Sequence, residues 1–133
     1  MCGIIGIASD KSVSSNIINS LKRLEYRGYD SAGLATLNNN LIIEKKCSGR
    51  VEQLEKIIFE NPVEGNIGIG HVRWATHGIP NTVNAHPHSS EIVSVVHNGI
   101  IENSDELKRK LEKEGVKFKS QTDTEVITFL ITK

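Results

Sequence analysis

The sequence predicts a mixed fold of strands and helices, either α+β or a layered α/β arrangement. Two observations carry that prediction. Short apolar runs, Ile4–Ile7 and Ile92–His97, are interleaved with segments whose apolar residues recur at helical spacing, as in Ile17, Ile18, Leu21 and Leu24. Leu, Ile, Val and Phe together make up 39 of the 133 residues, enough to build a packed core.

Ile4–Ile7, behind Gly3, reads as a buried strand. Ser14-Ser15-Asn16 supplies N-cap residue types for a helix that runs to the loop Arg27-Gly28-Tyr29-Asp30. Gly33–Leu37 and Leu41–Lys46 flank Asn38-Asn39-Asn40; asparagine tolerates left-handed backbone, so these form a hairpin. Val51, Leu54, Ile57 and Ile58 mark a second helix, stopped by Asn61-Pro62. Ile67–Val72 is a strand, and Arg73–Ser90 a long loop. Ile92–His97, with four β-branched residues in six positions, is the strongest strand signal. Asn103 or Ser104 caps a helix carrying Leu107 and Leu111, with Gly115 as its stop. Val116–Lys119 reads as a short strand. Thr122-Asp123-Thr124-Glu125 reads as a capping box opening a last helix. That helix reaches Lys133 without a stop signal, which reads as a cut inside or just after it.

Sixteen basic residues balance sixteen acidic ones, which argues against a protein built to grip nucleic acid. No apolar run reaches the length of a membrane span, and the first residues lack the basic flank of a signal peptide. Two cysteines make no disulfide framework. A cytoplasmic protein without membrane or nucleic-acid partners is the expectation.

Cys2 is the first candidate for chemistry. Once an initiator Met is removed, Cys2 would present its own α-amino group beside its thiol. One residue would then supply nucleophile and base. A thiol that merely happens to stand second is the competing reading. Cys47, beside Lys45 and Lys46, has no partner motif, although nearby lysines can lower a thiol pKa. All five histidines, His71, His77, His86, His88 and His97, fall within one stretch. Zinc ligation is one reading of them, but only His86-x-His88 is tightly spaced, and structural or loop-packing roles are the favoured reading. Asn98-Gly99, after the strongest strand, offers an amide and a backbone N–H that could meet at an oxyanion; it could also be a plain turn. Arg73 could clamp a carboxylate and Asp123 an ammonium group, against the alternatives of a surface ion pair and a helix N-terminal charge. Trp74, the only tryptophan, could equally anchor a loop.

The order of these motifs is more specific than any one of them. Met1-Cys2-Gly3-Ile4-Ile5-Gly6-Ile7 resembles the start of the class II, N-terminal-nucleophile glutamine amidotransferases. Tyr26–Gly33 (YRGYDSAG), His71–Gly78 (HVRWATHG), Asn84–His88 (NAHPH), His97–Asn103 (HNGIIEN) and Thr122–Glu125 (TDTE) narrow the resemblance to the glutaminase domains of the glucosamine-6-phosphate synthase family. Phosphoribosylpyrophosphate amidotransferases and asparagine synthetases would not be expected to carry YRGYDSAG together with RWATHG.

The resemblance implies an αββα four-layer sandwich, incomplete at its C-terminus, with residues 1–133 forming the N-terminal part of a type 2 amidotransferase domain and the sugar-phosphate isomerase domain absent. It implies Cys2 as nucleophile, Asn98 and Gly99 as the oxyanion hole, and Arg73 and Asp123 as ligands of the α-carboxylate and α-ammonium of L-glutamine. Thr76 and His77 would close over the substrate, Arg27 would steady the N-terminal region, and Trp74 would stand at an ammonia route. The implied reaction is glutamine amide hydrolysis through a Cys thioester, supplying ammonia for conversion of fructose-6-phosphate to glucosamine-6-phosphate in a full-length homodimer. No cofactor or metal is implied. A non-catalytic glutamine-binding fragment, or another class II amidotransferase, is the alternative.

Overall fold

The computed structural model describes residues 2–74 and 79–133. Strand β1 (Gly3–Ala8) is followed by helix α1 (Ser14–Leu24) and a 3₁₀ turn at Glu25–Arg27. Strands β2 (Ser31–Asn38) and β3 (Leu41–Ser48) come next, then helix α2 (Val51–Glu60) and strand β4 (Ile67–Arg73). Two-residue strands β5 (His88–Ser89) and β6 (Ser94–Val95) precede helices α3 (Ser104–Lys113) and α4 (Glu125–Thr132).

Strands β1–β4 form one antiparallel sheet in the order β1-β4-β2-β3. The β2–β3 turn is the asparagine pair expected, Asn39 and Asn40, with φ of 51° and 65°. Two positive φ values in succession suit a two-residue turn whose twist matches that of the strands.

One face of the sheet is covered by α1 and α2. Ile17, Ile18 and Leu21 of α1, Val51 and Leu54 of α2, and Leu34 and Val72 of the sheet form a single buried cluster. The helical spacing read in the sequence is the spacing of that buried stripe. The second face carries Gly33, Lys46 and His71 side by side, paired across β3, β2 and β4. Over it lies the segment holding His86, β5 and β6. Helix α4 packs on that ribbon, and α3 packs on α4. The sequence of layers is helix, sheet, sheet, helix.

Close approach on the second face depends on Gly33. A Cβ there would stand 2.0 Å from the carbonyl oxygen of His86, a backbone atom that no rotamer change can move aside. Gly33→Ala is expected to cost on the order of 3 kcal/mol or more. Urea unfolding measures it, and a loss below about 1 kcal/mol would show that the 84–88 segment yields easily.

Several expectations are corrected. β1 is an edge strand rather than a buried one, and Ile4 is 49% exposed. Neither Ser14 nor Asn103 makes a side-chain cap bond; the residue preceding α1 is Val13. Only Ser94–Val95 of the Ile92–His97 run pairs as a strand, and Val116–Lys119 forms none. Thr122–Glu125 is no capping box: α4 begins at Glu125, whose carboxylate accepts from the backbone N–H groups of Lys119 and Ser120 and from the Ser120 hydroxyl. It pins the preceding turn instead of closing the helix. Among the described residues no helix is long and apolar enough to cross a membrane.

Candidate active site

Cys2 stands at the head of β1. The pairing of Gly3 with Val72 carries it to the end of β4, where Arg73 and Trp74 lie. Its sulfur accepts from the Trp74 backbone N–H at 3.2 Å and stands 3.5 Å from the Trp74 carbonyl oxygen. Two side chains hold its own carbonyl: Arg27 Nε and Asn98 Nδ2 each donate to it at 3.0 Å. Arg27 reaches that carbonyl because the next residue is Gly28. A Cβ at Gly28 would come within 2.5 Å of the Arg73 carbonyl carbon and 2.8 Å of the Trp74 nitrogen. Only a bare Cα lets this turn lie flat on the peptide facing the thiol.

Arg73 and Asp123 are nearly sealed, at 3% and 5% exposure. Arg73 Nη1 donates to the Ile79 carbonyl at 3.1 Å. Asp123 precedes α4, and its Oδ2 accepts from the Ile101 N–H at 2.6 Å. The surface ion pair that a lone arginine suggests is therefore not the environment of Arg73. Cys2, Arg73, Asn98, Gly99 and Asp123 line one cavity of about 190 Å³, together with His86, His97 and Thr124. Residues far apart in sequence, at 2, 73, 98–99 and 123, converge on it.

Asn98 has two amide hydrogens, and one of them is engaged by Cys2. The other remains for an acceptor in the cavity. Behind the Asn98-Gly99 turn, His97 Nδ1 lies 3.2 Å from Thr124 Oγ1. The His97 carbonyl receives His71 Nε2 at 3.2 Å. A carbonyl can only accept, so His71 carries its proton on Nε2.

His71, His86 and His88 form a buried stack behind the cavity. The rings of His71 and His86 lie 4.1 Å apart and nearly parallel; His88 meets His86 edge-on at 4.8 Å. Burial lowers the pKa of His71 to about 4, with the Arg73 charge adding to it. His88 falls to about 3, through burial first and then the Lys46 charge. His86 is lowered furthest, by burial and by its histidine neighbours. Nδ1 of His71 and of His86 has no hydrogen-bond partner among the described residues. All three are neutral packing groups. Among the described residues no set of three or more His, Cys, Asp or Glu side chains is arranged to hold a metal ion.

Thr76 and His77 lie outside the described residues. Trp74 is 51% exposed and meets Tyr29 edge to face at 6.0 Å, while the Arg50 guanidinium covers Tyr29 at 4.8 Å. Its backbone, rather than its ring, faces the thiol. Cys47 is buried under α2, and burial raises its pKa instead of the neighbouring lysines lowering it. Sequence reasoning missed the Ile101 N–H, Asn84 and Gln121. Asn84 opens the NAHPH motif and Gln121 directly precedes TDTE, which was the available signal.

A cysteine at a strand head, an asparagine on its carbonyl, and a buried guanidinium and carboxylate lining the same cavity make up the site. The chain belongs to the family described as glutamine amidotransferase domain, whose sequence model matches residues 56–133. It is 53% identical over 133 residues to the glutamine–fructose-6-phosphate aminotransferase (isomerizing) of Agrobacterium fabrum, covering 100% of this chain and 22% of that protein. It is 56% identical over 133 residues to the enzyme of the same name from Clostridium acetobutylicum, covering 98% of this chain and 22% of the relative. The chain thus spans 22% of the length of these relatives. Among solved structures, the glutamine phosphoribosylpyrophosphate amidotransferase of B. subtilis, complexed with ADP and GMP, superposes with a TM-score of 0.80 at 28% identity. That match covers 100% of this chain and 29% of the other. A structure titled as the allosteric regulatory enzyme of purine biosynthesis gives 0.82 at 29% identity, covering 100% and 30%. The fold is that of the N-terminal-nucleophile amidotransferases.

Proposed function

We propose that this chain hydrolyses the side-chain amide of L-glutamine through a thioester on Cys2. The observation that carries the reading is the shared cavity, where a thiol, an amide donor, a buried cation and a buried anion face one another. With Met1 removed, the Cys2 amine takes the thiol proton and the thiolate attacks the amide carbon. The Asn98 amide and the Gly99 N–H hold the oxyanion. The amine returns the proton to the departing nitrogen, ammonia leaves, and a γ-glutamyl thioester remains. Water cleaves it to glutamate and regenerates the thiol. Arg73 binds the α-carboxylate and Asp123 the α-ammonium. A ligand lacking either group would lose a charge-assisted contact in a buried site, which makes selection steep. Thr76 and His77 complete the substrate contacts, Arg27 steadies Cys2, and Trp74 stands at the ammonia exit.

The similarity to isomerising aminotransferases supports a wider role. Residues 1–133 act as the N-terminal part of a type 2 amidotransferase domain. Its ammonia passes to a sugar-phosphate isomerase domain, which converts fructose-6-phosphate to glucosamine-6-phosphate in a cytoplasmic homodimer.

A glutamine analogue bearing a diazo-ketone in place of the amide tests the site. One covalent equivalent on Cys2 and none on Cys47 is the expected peptide map. Arg73→Ala and Asp123→Ala should slow labelling by roughly 2–5 kcal/mol each, although neither touches the reacting atoms. An adduct on Cys47, or equal labelling of both thiols, removes the assignment. A chain that labels but does not turn over is a glutamine-binding fragment instead.

A further inference from the structure

We propose that Asn84 and Gln121 are positioning residues that fix the span between Arg73 and Asp123, and with it the preference for amides carrying both α-groups. The inference rests on the two-charge reading of the site given above and deepens it.

Asn84 is 1% exposed and is bonded to both Ile79 and Gln121. Its Nδ2 donates to the Ile79 carbonyl at 2.9 Å and to Gln121 Oε1 at 3.0 Å. Its Oδ1 accepts from the Gln121 N–H at 2.7 Å. Gln121 Oε1 also accepts from the Ile79 N–H at 3.2 Å. The Ile79 carbonyl is the same atom that receives Arg73 Nη1. One end of this network therefore grips the Arg73 guanidinium. The other grips the backbone two residues before Asp123.

The residue types suit the task. A buried primary amide offers two donors and an acceptor in one rigid plane, and Asn84 uses all three. Its own backbone is fixed as well, because its N–H donates to Asn81 Oδ1 at 2.8 Å. Gln121 uses its side chain differently: both of its bonds end on Oε1. An acceptor oxygen is what that position requires. Losing it removes one bond from Ile79 and one from Asn84, the two residues that meet at the carbonyl receiving Arg73. A shift of the Arg73–Asp123 span by a fraction of an ångström weakens a ligand that must reach both, whereas the thiol and Asn98 are held by separate bonds to the Trp74 backbone and to the Cys2 carbonyl.

The test is steady-state glutamine hydrolysis by the full chain, with folding checked by thermal melting. Asn84→Ala and Gln121→Leu should raise the glutamine KM by about 10–100-fold while kcat stays within about threefold. Both should also narrow the preference for glutamine over a γ-amide lacking the α-ammonium. Gln121→Glu, which keeps an oxygen for both bonds, should restore a KM within about threefold of the parent. Gln121 is exposed, so its variants report even if Asn84→Ala does not fold. Unchanged KM in Gln121→Leu, or equal KM in the Leu and Glu variants, overturns the proposal. Arg73→Ala and Asp123→Ala separate the two levels. If they raise KM and Gln121→Leu does not, positioning fails and the two-charge reading stands; if neither raises it, both fall.

Discussion

Cys2→Ala leaves a folded chain that hydrolyses glutamine at least about 10⁴-fold more slowly, and a chain with any residue retained ahead of Cys2 behaves the same way. The expectation follows from the contacts at the head of β1. The thiol sits against the Trp74 backbone, and no histidine reaches it among the described bonds. His97 is committed to Thr124, and His71 points its proton at a carbonyl. In the proposed mechanism the base is the amine of Cys2 itself, and an amide in place of that amine cannot accept a proton at neutral pH. Cys2 is half-buried, at the edge of the sheet and outside the core cluster, so its loss should leave the melting temperature nearly unchanged. Intact mass identifies the first residue of each preparation. Full activity in a preparation that retains Met1 would exclude the amine as base.

Lowering the pH from 7 to 5 should strip several kcal/mol of stability from the folded chain. His71, His86 and His88 are held neutral, with pKa values depressed by burial. In the unfolded chain each titrates near its ordinary value, about 6.5. Below that value the unfolded state binds protons that the folded state refuses, so stability is full above pH 6.5 and falls as the pH drops. Each histidine contributes a slope approaching about 1.4 kcal/mol per pH unit, or roughly 2 kcal/mol by pH 5. The loss ends near pH 4 for His71 and near pH 3 for His88. Arg73 and Lys46, the cations closest to the stack, reinforce the effect. Urea melts at half-unit intervals measure it, and His88→Gln should reduce the slope by about a third. A midpoint that stays constant from pH 7 to 5 would mean that the three rings gain protons in place.

Elements governed by local chemistry were legible in the sequence. The Asn39-Asn40 turn needs only two residues that accept positive φ, and α1 announces its buried stripe by spacing alone. Where pairing depends on a distant partner, the sequence misleads. Ile92–His97 has strand composition along its whole length, yet only Ser94 and Val95 find a partner in β5. Glu125 matches a capping pattern, but its carboxylate is taken by two backbone N–H groups upstream. The site shows the same division. Cys2, Arg73, Asn98 and Asp123 carry recognisable chemistry, and they share a cavity. That Asn98 grips the Cys2 carbonyl, or that Asn84 joins the segments bearing Arg73 and Asp123, follows from strand register and chain crossing, which no local pattern encodes.

The second residue of a protein ordinarily frays, sampling many conformations because nothing follows it on one side. Here the Cys2 carbonyl is clamped by Arg27 and Asn98, so the peptide plane beyond the Cα is fixed at folding. With Met1 removed as proposed, what remains to the terminus is rotation about a few bonds next to the amine. A nucleophile at a chain end would thereby gain the order of an interior residue while keeping an amine that no interior residue has. The conformational entropy of aiming it is settled once, when the chain folds, and does not recur as a barrier at every turnover.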